Sequence, residues 1–215
     1  PDLPSIAFEK AGIIKPGKPV VISVSQNETT EVFRKKAEEC ASPIHFANDS
    51  VSAKSLGKGI YEVKSGSYSF NIDSELKGIY QRDNIPGIIR SVEMLKELGF
   101  QISEGHLKNG FKKISTNTGL KGRWQIIQEN PMMICDTGHN ADAMQYILRQ
   151  IEAKSHNKLI AVLGFVNDKN ISDVLALWPK KAHYIFCQAK IPRAKKAEEV
   201  KEIADKLNLN SEIIN

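Results

Sequence analysis

From residue 131 to the end of the chain, short apolar runs alternate with amphipathic stretches of helical period. Apolar runs at 131–135, 159–166 and 182–188 are each followed by a helical pattern, at 141–153, 171–178 and 194–207. In the first of these helices Ala141, Met144, Ile147, Leu148 and Ile151 fall on one stripe. Strands alternating with helices predict a parallel, doubly wound α/β sheet with crossover helices. Glu212-Ile213-Ile214 reads as the start of one more strand, cut short. The 131–135 run reads as a buried strand leading into the polar turn Asp136-Thr137-Gly138-His139-Asn140, with a helix beginning at Ala141. Ligands of open α/β sheets bind at such strand ends.

The earlier residues predict a second unit. Residues 19–24 (PVVISV) are continuous and β-branched, as in a buried parallel strand. A helix over 28–40, with Val32, Phe33, Ala37 and Cys40 on one side, and a strand over 44–47 complete a β-α-β pattern. Alternation over 60–73 around Ser65-Gly66-Ser67 predicts a hairpin. A helix over 80–98 carries Ile85, Ile88, Ile89, Val92, Leu95 and Leu98, stops at Gly99, and is expected to place Pro86 in its first turn. A shorter helix over 103–114 has Ser103 as a candidate cap. The polar stretch 115–121 (STNTGLK) marks a domain boundary, giving domains 1–116 and 117–215, and beyond it a strand over 123–128 and a turn at Glu129-Asn130-Pro131 lead into the run 131–135.

Bulk properties exclude several classes. Hydrophobic content of 41% supplies a core and argues against global disorder. No apolar run approaches the roughly 20 residues that span a bilayer, so no membrane association is expected. The net charge of +5 is spread out, and the densest basic groups, 34–36 and 193–196, sit beside acids on helical stretches. Aromatic and basic residues do not interleave as in single-strand binders, so no nucleic-acid partner is expected. Cys40, Cys135 and Cys187 are odd in number and far apart, which argues against a disulfide framework and fits a reducing, cytoplasmic setting. Cys135 and Cys187 read as core residues. The chain opens without Met and reads as a fragment.

Asp136, Lys169 and Arg193 each follow a predicted strand, so the sheet brings them to one edge, though such loops are polar in any α/β domain. Asn140 is either a helix cap or part of a site. His139 is either a satisfied loop histidine or a contact for an anionic substrate near the positive helix end. Gly122 beside Arg123 would let a guanidinium reach a phosphate, and Trp124 reads as core or interface.

Four segments together resemble folylpolyglutamate synthase/dihydrofolate synthase, of the Mur ligase superfamily. The run from Ile6 to Val21 is similar to that family's IAxEKAGIIKxGxPVV motif. Leu76 to Asn84 is similar to LxGxxQxxN, Gly122-Arg123-Trp124 to a GR-aromatic motif, and Asp136 to Asn140 to DxAHN. The resemblance covers nearly the whole chain. It implies an α/β fold: the end of a Mur-ligase-type central ATPase domain, then a Rossmann-like C-terminal domain. It further implies that Lys10 is carbamylated near Mg²⁺, that Asn84 contacts the adenine of ATP, and that Arg123 lies on the ATP phosphates. Asp136 would hold the ribose hydroxyls and His139 would lie near the incoming glutamate. Lys169 and Arg193 receive no catalytic role. The implied activity is ATP-dependent addition of L-glutamate to a folate or dihydropteroate carboxylate by a monomer.

The last motif reads DTGHN, with Gly138 where Ala is usual, a small replacement that the turn should survive. No G-x-x-x-x-G-K-[ST] phosphate loop occurs in the chain, so this piece is expected to be inactive alone. The competing readings are a ligase adding amino acids to a nucleotide-linked muramyl peptide, a non-catalytic nucleotide-binding module, and, on net charge alone, a nucleic-acid binder.

Overall fold

A computed structural model describes residues 2–167 and 170–214. The chain divides into two compact units, Pro1–Lys121 and Gly122–Asn215. No described helix is long and apolar enough to cross a membrane.

The first unit opens with helix α1 (Leu3–Ala11), capped by Asp2, whose carboxylate accepts the Ser5 N–H at 2.9 Å. Strand β1 (Val20–Ile22), helix α2 (Asn27–Glu39) and strand β2 (Ile44–Phe46) form the expected β-α-β, with Val20 opposite Ile44 and the strands parallel. Here β1 is half-buried rather than buried, and Val24 lies outside it. Its only strand neighbour among the described residues is β2.

Next comes an antiparallel sheet of β3 (Val51–Gly57), β4 (Ile60–Ser65) and β5 (Tyr68–Asp73). The β4–β5 hairpin turns at Gly66-Ser67, where Gly66 has a φ of 55°. Sequence reading missed β3, because VSAKSLG carries one bulky apolar residue at each end and a polar middle. Val51, Tyr61, Val63 and Ile72 from this sheet pack with Ile85, Ile89 and Phe111 into one core.

Helix α3 (Gln81–Glu97) spans nearly the expected range, but Pro86 is its sixth residue and lies inside the helix, not in its first turn. The periodic stripe is also rotated. Ile85, Pro86, Ile89 and Met94 are buried, whereas Ile88, Leu95 and Leu98 are exposed. Helix α4 (Glu104–Lys112) starts at Ser103 as expected, with Ser103 Oγ accepting the His106 N–H at 3.1 Å. Helix α5 (Ile114–Thr118) occupies part of the stretch read as turn.

The second unit begins with an antiparallel pair, β6 (Gln125–Glu129) and β7 (Met132–Cys135). The 131–135 run is therefore not a buried strand: Met132 and Met133 are about half exposed, at 51% and 49%. After helix α6 (Ala141–Glu152), the units β8 (Ile160–Leu163), α7 (Ile171–Ala176), β9 (His183–Phe186), α8 (Ala197–Lys206) and β10 (Asn210–Ile213) build a parallel sheet of order β10-β9-β8. The architecture is Rossmann-like. The core gathers Trp124, Met144, Leu148, Val174, Tyr184, Phe186, Val200 and their neighbours. Cys135 and Cys187 are only partly buried, because each lies at a strand end rather than mid-sheet.

Candidate functional site

The open end of the β6–β7 hairpin builds the main cluster. Gln125 pairs with Cys135, so Trp124 and Asp136 are the next residues on each arm. Asp136 uses one oxygen to accept the Trp124 N–H at 2.7 Å and the other to accept the Gly138 N–H at 2.8 Å. The carboxylate thus ties the turn before β6 to the turn after β7. One residue further out, the Thr137 N–H and hydroxyl both donate to the Gly122 carbonyl, at 2.9 and 3.1 Å.

Arg123 lies between two left-handed residues, Gly122 at φ 69° and Trp124 at φ 50°. A non-glycine residue holds that conformation at a cost of about 1–3 kcal/mol unless its surroundings fix it. Here the Trp124 ring is buried in the core and its N–H is bound by Asp136. The backbone curls, and the exposed Arg123 guanidinium donates to the Thr137 hydroxyl. Gly122 is required, since a Cβ there would stand 2.6 Å from Thr137 Cγ2.

Beyond Gly138 the chain enters α6. Asn140 is its cap, with Oδ1 accepting the Ala143 N–H at 2.8 Å. The exposed His139 has Nδ1 3.1 Å from the Thr137 carbonyl. A carbonyl only accepts, so Nδ1 carries the proton and Nε2 of the neutral ring is an acceptor. Arg123, Asp136 and His139 are therefore brought together by one hairpin end and one helix start. Two clefts lie elsewhere. One, of about 190 Å³, is lined by Leu175, Trp178 and Leu209; the other, of about 470 Å³, by Arg34, His45, Phe46 and Arg90.

Arg193 is exposed on the loop before α8, where its carbonyl accepts the Asn167 N–H at 2.9 Å. Lys169 falls outside the described residues. In the first unit, Lys10 is exposed in the last turn of α1. Asn84 is exposed in the first turn of α3 and donates through Nδ2 to Oε1 of the buried Gln81 at 3.1 Å. The described residues contain no group of three or more His, Cys, Asp or Glu side chains able to hold a metal. Lys10 as a free ammonium is no ligand either, so these residues do not by themselves fit a magnesium site. Thr137 and Gln81 lay within motifs singled out in the sequence but received no role there.

Residues 122–214 match the Mur ligase, glutamate ligase domain family. The match spans nearly the whole of the second unit. Similarity extends beyond the Mur ligase domain into the first unit. The dihydrofolate synthase/folylpolyglutamate synthase of Bacillus subtilis is 30% identical over 209 residues, covering 93% of this chain and 47% of that protein. The chain thus spans about half the length of the curated relatives it matches. Folylpolyglutamate synthase of Mycobacterium tuberculosis, solved with ADP and AMPPCP, shares the fold with a TM-score of 0.81 at 21% identity, over 99% of this chain and 50% of that one. A bifunctional folylpolyglutamate synthase/dihydrofolate synthase with Mn, AMPPNP and L-glutamate bound has a TM-score of 0.76 at 20% identity, over 99% and 49% respectively.

Proposed function

We propose that this chain is the later half of an ATP-dependent ligase that joins L-glutamate to a folate or dihydropteroate carboxylate through an acyl phosphate, and that it does not turn over alone. One observation carries the reading. Likeness to folylpolyglutamate synthases runs through both units, over 93% of the chain, rather than stopping at the widely shared Mur ligase domain. The first unit would be the end of the ATP-binding domain, with the boundary near 116.

A carboxylate is a poor electrophile at neutral pH, so its oxygen must first become part of a leaving group. In the proposed sequence the substrate carboxylate attacks the γ-phosphorus of ATP, the bond to ADP breaks, and an acyl phosphate forms. The glutamate amine then attacks the acyl carbon, and phosphate leaves with the former carboxylate oxygen. Positioning and charge neutralisation dominate such chemistry. Arg123, held at its Thr137 contact, is suited to the nucleotide phosphates. Asp136, fixed by its two backbone bonds beside Arg123, would meet the ribose hydroxyls. His139 Nε2, unprotonated in the tautomer set by Thr137, can take the proton that the glutamate ammonium must lose. Asn84 would meet the adenine. Carbamylation of Lys10 would turn its cation into an oxygen donor of the kind Mg²⁺ takes. The free thiols Cys40, Cys135 and Cys187 suit a monomer working in a reducing cytoplasm.

The test is phosphate release by the full-length protein given ATP, Mg²⁺, a reduced folate and glutamate. Release that requires both folate and glutamate is expected. Release that ignores either one, or that occurs with this 215-residue piece alone, contradicts the proposal.

A further inference from the structure

We infer that Gln81 is a positioning residue that fixes which edge Asn84 shows to the nucleotide base, and thereby selects a base carrying an exocyclic amine. The inference deepens the ligase reading and rests on it, since that reading brings Asn84 to the base.

Gln81 is a polar side chain with only 6% exposure, yet it stands one turn from the exposed Asn84. Its Oε1 accepts an Asn84 Nδ2–H at 3.1 Å. A carboxamide has one acceptor oxygen and two N–H donors. With one N–H committed to Gln81, Asn84 offers Oδ1 and its second N–H to a ligand. With the buried Gln81 amide held as it stands, reversing the Asn84 amide would set Oδ1 against Oε1, two acceptors with no proton between them. Adenine presents an amine donor beside a ring-nitrogen acceptor, the complement of that edge, whereas guanine presents a carbonyl acceptor beside its ring nitrogen.

The backbone under Asn84 is held as well. Ser23, just past β1, donates its hydroxyl to the Asp83 carbonyl at 2.6 Å and accepts the Gly87 N–H at 3.2 Å. It is thereby inserted between the two groups that an uninterrupted helix would bond directly. Pro86 has no N–H to give the helix. Gly87 is required beside Ser23, because a Cβ would stand 2.7 Å from Ser23 Oγ and 2.8 Å from its Cβ. The turn containing Asn84 is thus clasped from the strand side while Gln81 sets its amide.

The experiment measures equilibrium binding of ATP, GTP, ITP and purine riboside triphosphate to the full-length enzyme, its Gln81→Met variant and its Gln81→Glu variant, with melting temperatures for all three. Wild type should bind ATP most tightly, the unsubstituted purine less tightly, and the two 6-carbonyl bases least. Gln81→Met should cut the ATP-over-ITP ratio by at least about fivefold, the low end of what a two-point amide contact discriminates. Gln81→Glu, which can only accept, should keep the ratio. A purely structural role would instead weaken all four nucleotides together. Equal wild-type affinity for ATP and ITP, or an unchanged ratio in folded Gln81→Met, would overturn the inference. If neither variant folds, the wild-type base series decides it. Failure of the wild type to bind any triphosphate would count against the ligase reading instead.

Discussion

Asp136 is a fastener before it is anything else. Each of its oxygens satisfies one backbone N–H, and the two N–H groups belong to different arms of the turn. Asp136→Ala should therefore destabilise the second unit by about 1–3 kcal/mol, the cost of leaving partly buried donors unmet, in urea unfolding followed by tryptophan fluorescence. A loss under about 0.5 kcal/mol would show that water replaces the carboxylate freely. Gly138 offers a sharper case. An alanine Cβ there would lie 2.5 Å from Ile147 Cδ1 and 3.2 Å from Ala143 Cβ. Gly138→Ala, although it restores the residue common in the motif, should cost about 1–2 kcal/mol by crowding. Gly138→Ala with Ile147→Val should recover most of that, since the offending methyl is removed. An additive double mutant, with no coupling, would refute the crowding account. The motif DTGHN was legible in the sequence as a candidate site, and so were the two strands on either side of the turn at 129–131. The internal bonds were not, because they depend on the register that sets Gln125 opposite Cys135, which neither run encodes.

Helix α3 shows how a strand end can shape a helix. The apolar periodicity of 80–98 located it, but its buried residues are Ile85, Pro86, Ile89 and Met94, and Ser23 clasps its first turns from the end of β1. Ser23 is far away in sequence, so no local pattern could announce it. Gly87→Ala should destabilise the first unit by about 1–3 kcal/mol through overpacking, and Ser23→Gly in the same chain should relieve it. Thermal unfolding of the single and double variants reads this directly. Strand β9 makes a different prediction. Tyr184 is fully buried at its centre, and burial pushes its hydroxyl up to about 12 from 10.0. The neutral form is favoured by folding, so this contribution is complete below pH 10 and is lost as pH rises toward 12. The domain should lose on the order of 2 kcal/mol across that window. Tyr184→Phe should flatten the loss while giving up the hydroxyl's bond to the Pro179 carbonyl. A Tyr184→Phe protein with an unchanged alkaline profile would show that other groups dominate it.

Along the chain, strands and helices were readable where a short apolar run precedes a clear 3.6-residue pattern, as at 19–40, 159–178 and 182–207, and not at the polar β3. Burial was less readable. Runs such as PVVISV and 131–135 look like interior strands, yet each has a single strand neighbour among the described residues and no residue of either run is fully buried. Apolar composition reports what a segment could bury, not what lies beside it. The proposed chemistry makes one demand that is independent of such detail: an oxygen of the acceptor carboxylate must leave with phosphate. The deciding measurement is transfer of ¹⁸O in the full-length enzyme, with the γ-carboxylate of a reduced folate doubly labelled and the products read by mass spectrometry. One ¹⁸O per released phosphate, matched to one glutamate added per folate, is expected. Glutamylated folate formed alongside unlabelled phosphate would contradict the acyl phosphate route, and labelled folate left unglutamylated would contradict the ligase assignment itself.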